Sequence, residues 1–212
     1  MDVIRHVRRA VSMKRVGHAG TLDPLATGVV VVCIGKATRC VESLMGMTKV
    51  YEADVDLSAF TATDDREGER EEVTVVIPPS REDLCKVLSK FVGQIAQTPP
   101  AFSAVHINGQ RAYKLARRGE SVTLAPRMVN IAAIDLLDYA WPTARIRVTC
   151  GKGTYIRSLA RDIGRALGTG GHLASLRRLS VGPYGLSQAA NQKRLELPFR
   201  QDELLPEPMP IK

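Results

Sequence analysis

Apolar residues recur along this chain with a helical period in some stretches and with strict alternation in others, and each change of period marks an element. In residues 3 to 11, Val3 or Ile4, Val7 and Val11 share one helical face while Arg5, Arg8 and Arg9 lie elsewhere, which predicts a helix with Asp2 as its cap. Residues 29 to 34 form a β-branched run closed by Gly35 and predict a buried strand. The stretches 50–57, "VYEADVDL", and 73–77, "VTVVI", read as strands joined by "TATDDREGEREE", a charge run expected to be a solvated turn without chemistry. Leu84, Val87, Leu88 and Phe91 align along a helix over 81–92. "QTPPAFSAVHINGQ" interrupts regular structure at its proline pair and at Asn108-Gly109, and "RAYKLARRG" is then a short basic helix ended by Gly119. Strands follow at 128–138 and 144–150; the second, "ARIRVTC", alternates so that one face is buried and the other carries Arg145 and Arg147. A helix over 155–167 has Thr154 as its N-cap and Gly168 as its stop, and the prolines from Leu195 onward predict an extended tail. The pattern is that of a single α/β (α+β) domain with antiparallel pairings, in which 93–122 is an insertion.

Composition changes this picture at one point. The chain of 212 residues carries a net charge of +8, which points to a polyanionic partner, nucleic acid before membrane. No apolar stretch reaches the length of a membrane span and the N-terminus has no signal-peptide pattern. Cys33, Cys40, Cys85 and Cys150, like His6, His18, His106 and His172, are scattered without metal-ligand spacing. The cysteines read as reduced core residues of a cytoplasmic protein, and no metal site is expected.

The densest candidate chemistry lies in "GHAGTLDPLATGVVVV", residues 17 to 32. Asp23 followed by Pro24 has the spacing of a helix N-cap, and on spacing alone that reading is favoured. Gly28 and the β-branched run after it allow at most one helical turn, so a reactive carboxylate on a scaffolded loop is the competing reading. "GKGT" at 151–154 is not a phosphate loop, because Lys152 is followed by glycine and the earlier glycine is missing; no G-x-G-x-x-G follows a strand. No nucleotide cofactor is expected. Arg157, Arg161 and Arg165 recur every four residues, with Lys152 before them and Arg177 and Arg178 after, a cluster that favours phosphate contacts. Tyr51, Tyr155 and His18 are candidate stacking partners for an unpaired base.

"GHAGTLDPLATGVVVVCIGKATR", "KVYEADVDL", "SAVHINGQRAYKLARRG", "GKGTYIRSLARDIG" and "HLASLRRL", in that order, resemble the TruB family of tRNA pseudouridine synthases from about residue 2 to residue 190. The resemblance implies a pseudouridine synthase-like catalytic domain over 1–190, with a central mixed, mainly antiparallel sheet flanked by helices, a thumb-like RNA-clamping insertion at about 93–122, and a Pro-rich tail over 191–212 too short for a complete RNA-binding PUA domain. It implies isomerisation of one uridine in the TΨC loop of tRNA, position 55, without any cofactor. The partner is then a tRNA TΨC stem-loop, not a membrane or a small-molecule cofactor, and the protein a monomer. On the family's motif Asp23 is the catalytic aspartate, Tyr51 the stacking tyrosine and Arg157 the arginine that pairs with the aspartate. His18, Tyr155, Leu176, Lys152 and Arg178 are expected to bind substrate. The family begins with a strand carrying a Lys-Pro-x-Gly-x-Thr-Ser element that this chain lacks, so a longer natural product is expected. A non-catalytic RNA-binding or tRNA-folding protein on the same scaffold is the alternative, against which Asp23, Tyr51 and Arg157 together argue.

Overall fold

The computed structural model describes residues 3–107 and 109–206. Asp2, the expected cap, Asn108 of the expected Asn-Gly break and the tail from residue 207 lie outside the described residues. The chain packs as two compact units, 51–176 and the remainder, 1–50 with 177–212. Its fold is mixed α/β, with a mostly antiparallel sheet and flanking helices.

In the unit of residues 51–176 the sheet order is His172–Val181, Lys49–Asp56, Thr143–Cys150, Arg127–Ala140 and Gly93–Gln97, of which the unit holds the parts within its bounds. The two strands expected at 128–138 and 144–150 are Arg127–Ala140 and Thr143–Cys150, which pair antiparallel and turn at Trp141-Pro142. Its alternation is visible in burial: Ala144, Ile146, Val148 and Cys150 are at most 1% exposed. Burying side chains the size of Ile146 and Val148 contributes about 1.5–3 kcal/mol each. On the opposite face Arg145 and Arg147 meet acids of the neighbouring strand, with Arg145 Nε 2.8 Å from Asp54 Oδ1 and Arg147 Nη2 2.7 Å from Glu52 Oε1. Helices Arg81–Ser89 and Ile156–Leu167 supply Leu84, Val87, Leu88, Leu159 and Ile163 to the core. Ser80 caps the first through a reciprocal pair with Asp83. The second starts from Tyr155 without a side-chain cap, because the Thr154 hydroxyl donates to the Gly151 carbonyl at 3.2 Å. Gly168, at φ 71°, stops it as expected.

"VTVVI" is not a strand. The acidic run supplies Arg70–Glu72 to pair with Ala59–Thr61, and only Val73 continues that pairing, through its N–H to the Ser58 carbonyl. Val76 and Ile77 are left 88% and 83% exposed, since β-branched residues make a strand only where a partner edge is offered.

In the other unit, helix Val3–Ala10 buries Val7 and Ala10. Strand Val16–His18 pairs antiparallel with Val32–Ile34, and Ala19, Cys33 and Leu44 form a small core with Val31, Val41 and Tyr184 against it. The expected strand over 29–34 is thus split: Thr27–Gly28 pairs parallel with Arg177 and Arg178, and only Val32–Ile34 joins its own ladder. Lys49, 7% exposed, donates to the Met45 and Met47 carbonyls at the end of helix Val41–Gly46. The segment expected to be extended forms short 3-10 turns at Gln192–Glu196 and Gln201–Glu203, and the Phe199 N–H donates to the Ala10 carbonyl.

Candidate active site

Asp23 lies on a turn, not at a helix N-terminus. Its carbonyl accepts from the Ala26 N–H at 2.9 Å across Pro24 and Leu25, and the chain enters strand Thr27–Gly28 directly. Asp23 itself is half-buried. The final glycine of "GTLDPLATG" has a specific physical cause. Gly28 stands at φ 102°, and a Cβ there would lie 2.1 Å from the Arg178 carbonyl oxygen. Only glycine allows the loop to return onto the Arg177–Arg178 backbone. Arg178, expected as a substrate contact, is 1% exposed, and the structure turns its guanidinium inward. Nε donates to the Val29 carbonyl at 2.7 Å, Nη2 to Gly20 at 3.1 Å and Nη1 to Thr21 at 3.4 Å. His18, in the same unit, is half-buried in its strand, and its Nδ1 is buried without a hydrogen-bond partner among the described residues.

The unit of residues 51–176 holds Tyr51, Lys152, Tyr155, Arg157 and Leu176. Tyr51 is half-buried in strand Lys49–Asp56, and Leu176 is 6% exposed in strand His172–Val181. Lys152 is exposed in the turn before the Ile156–Leu167 helix. Arg157 is 5% exposed: Nη1 lies 3.4 Å from Asp65 Oδ2 and donates to the Thr63 carbonyl, and Nη2 donates to the Phe102 carbonyl at 3.0 Å. Arg161 donates to Asp64 Oδ2 at 2.6 Å, to Asp162 Oδ1 at 3.0 Å and to the Thr98 carbonyl at 2.9 Å. The acidic run therefore has chemistry that its composition hid, for Asp64 and Asp65 are 8% and 3% exposed. Burial pushes the Asp64 carboxyl above its ordinary value, although the Arg161 and Arg157 charges act against that rise. Asp65 Oδ1 also accepts from the Thr63 hydroxyl and the Glu67 N–H.

A second residue that sequence reasoning missed is Gln97, at 1% exposure. Its amide closes both ways on the Tyr155 backbone, accepting from the N–H at 2.8 Å and donating to the carbonyl at 3.1 Å. A buried amide bonded through both its oxygen and its nitrogen fixes the conformation in which Tyr155 leaves the turn.

The arginine stripe consequently divides. Arg157 and Arg161 are internal, whereas Arg165 is exposed over the Phe60 ring at 6.0 Å. In the insertion, His106, Gln110, Arg111, Tyr113, Lys114 and Arg118 line a cleft of about 470 Å³ formed by hairpin His106–Ile107 and Gln110–Arg111 with helix Ala112–Ala116. Arg117 stacks on Tyr113 at 5.5 Å, and Arg118 is shared between Glu120 and Gln110. Among the described residues no helix is long and apolar enough to cross a membrane.

Residues 8–156 match the profile of the TruB family pseudouridylate synthase N-terminal domain, and residues 157–203 that of the tRNA pseudouridylate synthase B C-terminal domain. The chain is 47% identical over 195 residues to a tRNA pseudouridine synthase B of Dehalococcoides mccartyi, a match covering 92% of this chain and 65% of that relative. It is 50% identical over 185 residues to a tRNA pseudouridine synthase B of Bacteroides fragilis, covering 86% of this chain and 79% of the relative. The crystal structure of a Cbf5-Nop10-Gar1 complex contains a chain that superposes with a TM-score of 0.66 at 29% identity, over 87% of this chain and 45% of that one.

Proposed function

The chain belongs to the TruB family of pseudouridylate synthases, and from that premise we propose that it isomerises a uridine in the TΨC loop of tRNA to pseudouridine. The reaction breaks the bond from C1′ to N1, rejoins C1′ to C5 of the same ring, and moves the C5 proton to N1. Nothing is gained or lost overall. The uracil must leave its stack for these atoms to be reached. In this reading Asp23 is the catalytic carboxylate, Tyr51 offers the extruded base a ring face and a hydroxyl, and Arg157 is the catalytic cation. Tyr155 and Leu176 wall the pocket; His18 and Lys152 contact the RNA. Residues 1–190 act as the catalytic domain with the insertion at 93–122 clamping RNA, and 191–212 as its tail; the protein works in the cytoplasm as a monomer.

The observation that carries the reading is the Asp23 turn. The Asp23 carboxylate sits on a short loop whose two stems are fixed to one buried arginine, within the highly specific "GTLDPLATG" motif. The test is incubation of the chain with a TΨC stem-loop transcript, followed by detection of pseudouridine. The parent should convert one uridine. Asp23→Asn should convert none while binding the stem-loop as before, because asparagine keeps the size and turn preference of aspartate. Conversion by Asp23→Asn at the parent rate would move the chemistry elsewhere, and stem-loop binding by the parent without conversion would favour the RNA-binding alternative.

A further inference from the structure

We propose that Arg178 is the positioning residue of the Asp23 loop, acting through backbone carbonyls on both of its stems and not on RNA phosphate. The inference rests on the functional reading above and goes beyond it by giving this arginine a role inside the protein. Four contacts carry it. Main chain and side chain of Arg178 both hold Val29, whose N–H donates to the Arg178 carbonyl at 2.9 Å while its own carbonyl accepts from Nε at 2.7 Å. The far end of the same guanidinium reaches the Gly20 and Thr21 carbonyls, immediately ahead of Asp23. One planar, rigid group thus ties the chain before the carboxylate to the chain after it, with the Asp23–Ala26 turn lying between the two stems.

The energetics point the same way. Arg178 is among the largest fully buried side chains, and among the described residues no carboxylate accepts from it. A buried cation facing neutral acceptors costs more than an apolar residue of the same volume would. Its presence is explained by what an apolar residue could not do, which is to fix three carbonyls at set angles. Lysine could not replace it, because a single ammonium on a flexible stem does not span acceptors lying on two stems. The close approach at Gly28 locks the register of Arg178 against the loop, so the guanidinium arrives at the same height each time.

The decisive experiment is steady-state kinetics of Arg178→Lys on the TΨC stem-loop, with stem-loop binding measured across a salt series. A loop displaced by about 1 Å costs on the order of a hundredfold in rate. The expected result is that loss in kcat, with KM, Kd and the salt slope of binding unchanged. Parent-like kcat in a folded variant would overturn the proposal. So would weaker binding with a salt slope reduced by roughly 0.7–0.9, the signature of one lost phosphate contact. Should Arg178→Lys not fold, the parent labelled with nitrogen-15 arginine decides: the Arg178 Nε–H signal should exchange slowly and keep its shift when RNA is added. A shift that moves in step with RNA occupancy would place Arg178 on the phosphate and sink the clamp. A parent that makes no pseudouridine would instead overturn the functional reading, an outcome distinct from an active parent with an equally active variant.

Discussion

In the unit made of residues 3–50 and 177–206, Arg178 is buried against the carbonyls of Gly20, Thr21 and Val29. In the unit of residues 51–176, Arg157 is buried beside the Asp65 carboxylate and the half-buried Arg161 pairs with the carboxylates of Asp64 and Asp162, with carbonyls as further partners. Both arrangements satisfy guanidinium donors, yet they respond differently to perturbation. A carbonyl dipole does not titrate and cannot be removed by mutating a side chain. A carboxylate does titrate, and its loss leaves a charge behind. The first arrangement suits a loop whose shape must not vary; the second makes an internal ion network whose members depend on one another.

The largest effect should come from removing one member of that network. Asp65→Ala takes one carboxylate away from the buried Arg157, and removing one partner of a buried pair costs about 3–5 kcal/mol. Urea unfolding measures it. A loss below about 1 kcal/mol, the worth of an exposed pair, would show that Arg157 is held by its other partners and not by Asp65.

A smaller effect separates carboxylates within the unit of residues 51–176 by pH. Burial alone would raise Asp54 and Asp56, but hydrogen bonds from Arg145 and Ser175 to the first, and from Ser58 and Arg70 to the second, hold both carboxyls below their ordinary value. Their stabilising contribution is complete above the ordinary carboxylate pKa and disappears as pH falls through the depressed values. Asp64, raised by burial, acts with the opposite sign: its contribution is present in acid and is lost as pH rises through its elevated value. The two lowered carboxyls therefore contribute a loss of stability as the pH falls through the acid range, which the raised Asp64 opposes. Asp54→Asn should flatten that loss and Asp64→Asn should steepen it, read as urea midpoints across the acid range. An identical acid limb in both variants and the parent would place the titration elsewhere.

The smallest effect concerns arginines and a lysine that remain outside. Lys114→Ala, Arg118→Ala and Arg165→Ala should each lower the slope of log affinity against log salt for stem-loop binding by roughly 0.7–0.9. Arg161→Ala should leave the slope unchanged, because its guanidinium is engaged with Asp64, Asp162 and Thr98. Equal slopes for Arg165→Ala and Arg161→Ala would erase the distinction between the internal and external ends of the stripe.

Much of the secondary structure was legible because its signals are local. The apolar face of Arg81–Ser89, the alternation in Thr143–Cys150 and the glycine after Leu167 need no knowledge of distant chain. The Asp23 motif was legible for the same reason, as its glycines and proline specify a turn within one short stretch. The stripe of Arg157, Arg161 and Arg165 carried a signal that spacing alone understates. Four residues advance a helix by about 40° beyond a full turn, so successive arginines rotate away from the apolar face. Exposure follows that drift, with Arg157 at 5% and Arg165 open to solvent.

What each arginine meets could not be read this way. The partner of Arg161 on Asp64 is 97 residues distant in sequence, and that of Arg178 on Val29 is 149 residues distant. The chain by itself determined which residues could lie on one face of an element and that a carboxylate would stand on a short segment between Gly20 and Gly28, although spacing alone favoured a helix N-cap there. Only the tertiary structure decided that the acidic run would neutralise buried guanidinium groups, that "VTVVI" would find no strand to pair with, and that Arg178 would face the Asp23 loop. Periodicity fixes an angle around an axis, whereas the identity of the group waiting at that angle is set by chain folded back from far away.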